Sequence, residues 1–244
     1  MMSVEQRTVE LITYYDDARG ERVGLTAAEL GRWSAATAAL LADECGLAAG
    51  SRAGVLLPPH WQTAVVLLGA WAAGLEVSFR GWGPAGLSGS RGDAAGPGTG
   101  GAELDVTFVE RRRVGSWLDE VPAARHRFVL GAGADDVPED YRDFLPAVRA
   151  HLGAAPPRDR VRLDEPAATD GTTFGAYGAV AAEVARSRGL RRGDRVLIDA
   201  AASEEPLIWL LAPLTAGASI VLCAGLDRSR RDERIAAEGV TCVF

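Results

Sequence analysis

One stretch of this chain occurs twice, and its spacing constrains the fold more than any other feature. Gly46-Leu47-Ala48-Ala49-Gly50-Ser51-Arg52 returns as Gly189-Leu190-Arg191-Arg192-Gly193-Asp194-Arg195. A short apolar run follows each copy, Val55-Leu56-Leu57 in the first and Val196-Leu197-Ile198 in the second. Each run leads into an apolar helical pattern that ends in Ala-Gly, at Ala73-Gly74 and at Ala216-Gly217. The interval from Gly50 to Gly74 is 24 residues, the same as from Gly193 to Gly217. Each copy therefore reads as helix, tight turn, buried strand, helix, strand. Strands that are short and continuously hydrophobic belong in parallel sheets covered on both faces. The expectation is an α/β chain of two similar subdomains, each a mainly parallel sheet packed under helices.

Local signals fill in the units. Thr26 and Glu29 form the S/T-x-x-E pattern of a capping box that opens a helix. Leu30, Trp33, Leu40 and Leu41 then share one face, and Gly46 stands where a glycine cap ends it. The stretch Trp61–Ala73 is apolar nearly all round, which predicts a buried helix. In the second unit Val180 and Val184 give an i, i+4 stripe, and Ser203 is placed to cap a helix that has Pro206 just inside. The run Pro206–Leu226 carries no charge over 21 residues, but Pro213 and Gly217 interrupt it. It reads as a buried helix, a turn and a strand rather than a membrane span.

The residues between the units are of two kinds. Gly81–Gly101 holds 9 glycines in 21 residues and predicts a flexible loop. Beyond it, Leu104–Val109 and Phe128–Leu130 read as strands, Tyr141–Leu152 as a helix strained by Pro146, and Ala154–Arg158 as a linker. A last helix spans Arg228–Glu238 and ends at Gly239, and Val240–Phe244 reads as a final strand. These readings set boundaries at 1–103 for the first subdomain, 104–160 for a connecting segment and 161–244 for the second subdomain.

Composition excludes several functions. The 26 basic residues are all arginine, against 33 acids, for a net charge of −7. A generic nucleic-acid binder needs a basic footprint, so none is expected. Without lysine the chain has no Schiff-base former and no flexible ammonium for a transferring phosphoryl group. Cys45, Cys223 and Cys242 are odd in number and lack CxxC spacing, which predicts no metal site, no disulfide framework and a reducing, cytoplasmic setting. Glu5 and Glu10 stand where a secretion signal needs a basic and then an apolar run.

Together, Leu25-Thr26-Ala27-Ala28-Glu29-Leu30, Gly50-Ser51-Arg52, Leu57-Pro58-Pro59 and Ala72-Ala73-Gly74 resemble the opening of the AMP-binding, adenylate-forming enzymes. Gly193-Asp194-Arg195-Val196-Leu197, Ala212-Pro213-Leu214 and Ala216-Gly217-Ala218 are similar to the second subdomain of that family. The resemblance covers residues 11–80 and 170–244 and is closest to a short actinobacterial branch with no assigned activity. It implies two α/β subdomains with a cleft between them, and activation of a carboxylic acid by ATP. The family's phosphate loop is rich in Ser, Thr and Gly, because amides and hydroxyls cradle phosphates, and a lysine closes it. The matching segment here is Thr169-Asp170-Gly171-Thr172-Thr173-Phe174-Gly175, followed by Ala176-Tyr177-Gly178 where the family has Pro-Lys-Gly. Asp170 adds a negative charge facing any phosphate. Thr172 or Thr173 also suits a plain helix N-cap. The resemblance places the adenine-reading, magnesium-binding and mobile C-terminal parts after the position of Phe244.

Gly81-Trp82-Gly83-Pro84-Ala85-Gly86 spells the dinucleotide fingerprint, but Ser88–Gly101 cannot continue the helix that mechanism needs. His60 follows Pro58-Pro59 at the end of a buried strand, where ligands bind in open parallel sheets; a helix-capping role is its alternative. His126 and His151 sit in Arg-rich surface contexts, and Arg111-Arg112-Arg113 reads as a strand end paired with Asp119 and Glu120. No Ser-His-Asp set or HExxH is present. Three functions remain open. The first is a catalytically inactive relative that binds a protein partner or itself. The second is a binder of ATP, AMP, coenzyme A or an acyl group near His60, Thr169, Gly171, Thr172 and Thr173. The third is an AMP-forming acid ligase that uses arginine in place of lysine.

Overall fold

The computed structural model describes residues 9–79, 103–116, 121–131, 133, 136–157 and 161–244. The Gly81–Gly101 loop, the glycine motif within it, and Asp119 and Glu120 lie outside the described residues. The chain divides into two compact units: residues 1–31 with 180–244, and residues 32–179. These limits differ from the sequence boundaries at 103 and 160. The reason is that an N-terminal hairpin joins the sheet formed by the C-terminal part.

That hairpin is β1 (Glu10–Asp16) and β2 (Glu21–Thr26), paired antiparallel. Thr26 then opens α1 (Ala27–Ala39), which runs on into a π-helical turn over Leu40–Glu44. Unit 32–179 continues with β3 (Arg52–Leu56), α2 (Trp61–Ala72) and β4 (Glu76–Phe79). It adds β5 (Leu104–Glu110), β6 (Ala124–Leu130), β7 (Arg142–Asp143) and α3 (Phe144–Arg149). Its sheet is entirely parallel, in the order β4-β3-β5-β6-β7. Val55, Phe108 and Phe128 are completely buried, as strands covered on both faces require.

The predicted helix over Tyr141–Leu152 is shorter and unstrained. Arg142 and Asp143 extend the sheet, and the Asp143 side chain accepts the Leu145 N–H at 3.1 Å to cap α3. Pro146 thus falls in the first turn, where no backbone donor is missed. Phe144 stands edge-on to Phe108 and Phe128, with ring centroids 5.7 and 6.3 Å away, and fixes α3 on the sheet.

The helix α4 (Phe174–Ser187) leads back to the other unit, which adds β8 (Arg195–Asp199), α5 (Ala212–Ala216) and β9 (Ser219–Ala224). It closes with α6 (Arg231–Glu238) and β10 (Cys242–Val243). The strand order is β10-β8-β9-β1-β2, parallel except for the β1–β2 pair. The helix expected from Ser203 starts at Pro206, because Asp199 holds the chain in a turn: its carbonyl accepts the Ala202 and Ser203 N–H groups. The last helix is 3-10 over Arg228–Arg230 and α only from Arg231, and the final strand has two residues. Among the described residues no helix is long and apolar enough to cross a membrane.

Polar contacts dominate the anchoring of α6. Ile235 packs on Leu197, Val221 and Cys223, while Arg234 forks onto both Asp17 oxygens at 2.6 and 3.1 Å. The Arg234 guanidinium lies 4.0 Å from the Tyr15 ring centroid. Glu238 accepts from the Tyr15 hydroxyl and from Arg195.

Candidate functional site

The loop that resembles a phosphate cradle forms a tight hairpin. Pro166 and Thr173 pair across it, Phe174 donates to the Glu165 carbonyl at 3.0 Å, and Ala167 donates to Thr172 at 2.8 Å. The chain reverses over Ala168–Gly171, closed by the Gly171 N–H on the Ala168 carbonyl at 3.0 Å. Gly171 has φ +88°, the left-handed position such a turn reserves for glycine. Asp170 takes the Thr172 N–H at 2.9 Å, and that bond holds its carboxyl below the ordinary 3.8. The side chain therefore carries its negative charge at neutral pH.

Thr173 caps α4: its hydroxyl oxygen accepts the Ala176 N–H at 3.2 Å. The Gly175 N–H reaches the Leu163 carbonyl at 2.8 Å, and a Cβ there would lie only 3.0 Å from that oxygen. The hairpin is fastened to β4, where Val77 donates to Ala167 at 2.9 Å and accepts from Thr169 at 3.4 Å. Trp71 of α2 ties down the same segment, with its indole N–H on the Ala167 carbonyl at 3.0 Å and its ring 6.0 Å from Tyr177. The amides of Thr169, Gly171, Thr172, Phe174, Gly175 and Ala176 thus all donate within the protein.

His60 occupies the head of α2, just past the carboxyl end of β3. Its backbone is extended, and Nδ1 accepts the Gln62 N–H at 3.1 Å, so it caps the helix. Its ring lies 5.7 Å from that of Trp61. Thr169, Gly171, Thr172 and Thr173 share one hairpin on β4, and His60 belongs to a different element of the same unit.

The remaining candidates carry structural contacts. His151 pairs with Glu44 at 2.7 Å, Arg111 with Asp136 at 2.7 Å, and Arg112 with Glu110 at 2.5 Å. His126 is more enclosed than its Arg-rich neighbourhood implied, and burial pushes its imidazole below the ordinary 6.5. Cys45, Cys223 and Cys242 are free thiols. Among the described residues no group of His, Cys, Asp and Glu could hold a metal ion. The sequence reading passed over the polar anchoring of α6, because Asp17, Tyr15 and Arg22 are distant in sequence from Arg234 and Glu238.

Comparison with known proteins places this geometry. No family model matches the chain. A TIGR03089 family protein of Mycobacterium tuberculosis is 36% identical over 235 residues, covering 96% of this chain and 90% of the relative. Among solved structures, the acyl-CoA synthetase of Brucella canis superposes with a TM-score of 0.65 at 20% identity, covering 98% of this chain and 45% of that one. The anthranilate CoA ligase AuaEII, solved in complex with anthranoyl-AMP, gives 0.63 at 15% identity, covering 98% and 47%. The chain spans less than half the length of these two enzymes, and the likeness to them is one of fold.

Proposed function

The chain belongs to the TIGR03089 family, and from that premise, together with its acyl-CoA synthetase-like fold, we propose that it is a non-catalytic relative of the adenylate-forming enzymes that works by binding a protein partner. One observation carries this reading. A phosphate cradle needs backbone amides free to point at the nucleotide. In the Thr169–Ala176 segment six of those amides already have acceptors in the protein. Reopening the hairpin would break the Trp71 and Val77 contacts and orphan buried groups at about 1–3 kcal/mol each. The charged Asp170 repels a phosphate at the same place, and no lysine exists to offset it. Free thiols, two of them buried, fit a cytoplasmic setting.

The reading is tested by pyrophosphate release from ATP across a panel of carboxylic acids, with calorimetry against ATP, AMP and coenzyme A. The expected result is no pyrophosphate and no heat of binding at about millimolar ligand. Turnover would reinstate an acid ligase. Binding near micromolar without turnover would reinstate a ligand-binding role, and substitutions at His60 and Thr172 would then locate it.

A further inference from the structure

The internal repeat supplies its own control for one surface. In the first copy Gly50 donates to Gly74 at 2.8 Å, Ser51 to Ala48 at 3.0 Å, and Glu76 to Ser51 at 2.9 Å. In the second, Gly193 donates to Gly217 at 3.0 Å, Asp194 to Arg191 at 3.1 Å, and Ser219 to Asp194 at 2.8 Å. The key glycines match as well, with φ of +83° at Gly50 and +88° at Gly193. The two turns share these backbone hydrogen bonds and differ in what they display. The first presents Ala48 and Ala49 to solvent, and the second presents Arg191 and Arg192. Alanine is thus sufficient for the turn, and nothing in its geometry calls for the two arginines.

Their charges are also left unbalanced. Asp194, in the same turn, uses both its oxygens on other donors: one takes the Arg191 backbone N–H at 2.7 Å and the other the Thr241 hydroxyl at 2.9 Å. Arg188 is exposed one turn earlier, with its guanidinium 4.8 Å from the Phe244 ring centroid. Among the described residues Arg188, Arg191 and Arg192 have no carboxylate partner, whereas Arg22, Arg52, Arg142, Arg195 and Arg234 each have one.

We propose that Arg188, Arg191 and Arg192 form a docking patch for an acidic polypeptide segment of a partner protein. This rests on the protein-binding reading above and names the chemistry of the partner. Planar guanidinium groups match carboxylates in pairs. Three arginines fall short of the roughly 4–8 basic residues that recognise anionic membranes.

The probe is a fluorescein-labelled octaglutamate peptide, followed by anisotropy with the full chain at about 20 mM salt, where screening is weak. The R191A/R192A variant installs the residues of the first copy and keeps the turn. Its thermal midpoint is expected to be unchanged while peptide affinity falls about tenfold, or 1.4 kcal/mol. Arg188→Gln is expected to weaken binding in the same direction. R228A/R231A removes two exposed arginines elsewhere and is expected to leave affinity unchanged. The proposal is overturned if the peptide does not bind or if R191A/R192A binds it undiminished. It also fails if a single-stranded oligonucleotide or a phosphatidylserine vesicle binds more tightly through the same arginines. The assay contains no nucleotide, so pyrophosphate release would sink the non-catalytic reading and leave the patch standing, and the reverse also holds.

Discussion

At Gly69 the helix α2 lies directly against α1. A Cβ built there would lie 2.4 Å from the Thr37 Cβ and 2.9 Å from the Ser34 carbonyl oxygen. Neither atom is the end of a flexible side chain, so the helices themselves must separate. Gly69→Ala is therefore expected to destabilise the protein by about 2 kcal/mol despite alanine's better helix propensity. Urea unfolding followed by tryptophan fluorescence reads this directly, because Trp33 and Trp61 touch across the same interface with centroids 5.9 Å apart. An unchanged midpoint would mean that α1 shifts at no cost. The same logic explains why His60 and Thr173 are informative residues even without a ligand: each spends its acceptor on a helix N-terminus.

At the scale of elements, Thr26 serves both β2 and α1. It is the last residue of the strand, and its hydroxyl oxygen accepts the Glu29 N–H at 3.1 Å while Glu29 reaches back to the Thr26 N–H at 2.9 Å. Thr26→Ala should cost about 1 kcal/mol, measured by chemical denaturation, and Glu29→Ala in that background should cost roughly 0.5–1 kcal/mol more, because its bond to the backbone N–H at position 26 survives the first substitution. This box was legible in the sequence because its four residues are local. So were α2, by its nearly all-round apolar character, and the matched turns, by their glycines. The β1–β2 hairpin was not found, because the partner that justifies β1 is β9, with Ile12 opposite Ile220. Pro146 misled for a related reason: only the sheet reveals that Arg142 and Asp143 are strand, which moves the helix start to Phe144. At the candidate site the residue types pointed to a cradle. The hairpin that closes it depends on Trp71 and Val77, roughly ninety residues earlier, a pairing that no local pattern encodes.

For the whole molecule, the titrating groups predict two stages of acid sensitivity. Burial holds His126 below 6.5, so the folded state binds fewer protons than the unfolded one, and stability falls as pH drops through 6.5. His126 lies in unit 32–179. In the other unit Arg234 holds Asp17 below 3.8, and at Glu238 the bonds from Tyr15 and Arg195 outweigh burial and keep it below 4.5. Their contribution is intact above those values and is lost as pH falls further. Thermal scans from about pH 7.5 down to about 2.5 are expected to show an early loss that His126→Gln removes, then a later one, below about 4.5, that it leaves in place. A single loss confined to the carboxylate range would refute the assignment to His126.

The order of the strands also bears on how such a chain is made. Residues 32–179 form one uninterrupted run whose sheet contains only its own strands, so this unit can close while later residues are still being synthesised. The β1–β2 hairpin, made before that unit, must wait, because its neighbour β9 arrives about two hundred residues later. Until then β1 presents an unpaired edge carrying Ile12 and Tyr14, both buried in the finished fold. The β1–β2 hairpin thus finds its place only after a much later strand is made, and the interval before β9 appears leaves that edge open to aggregation.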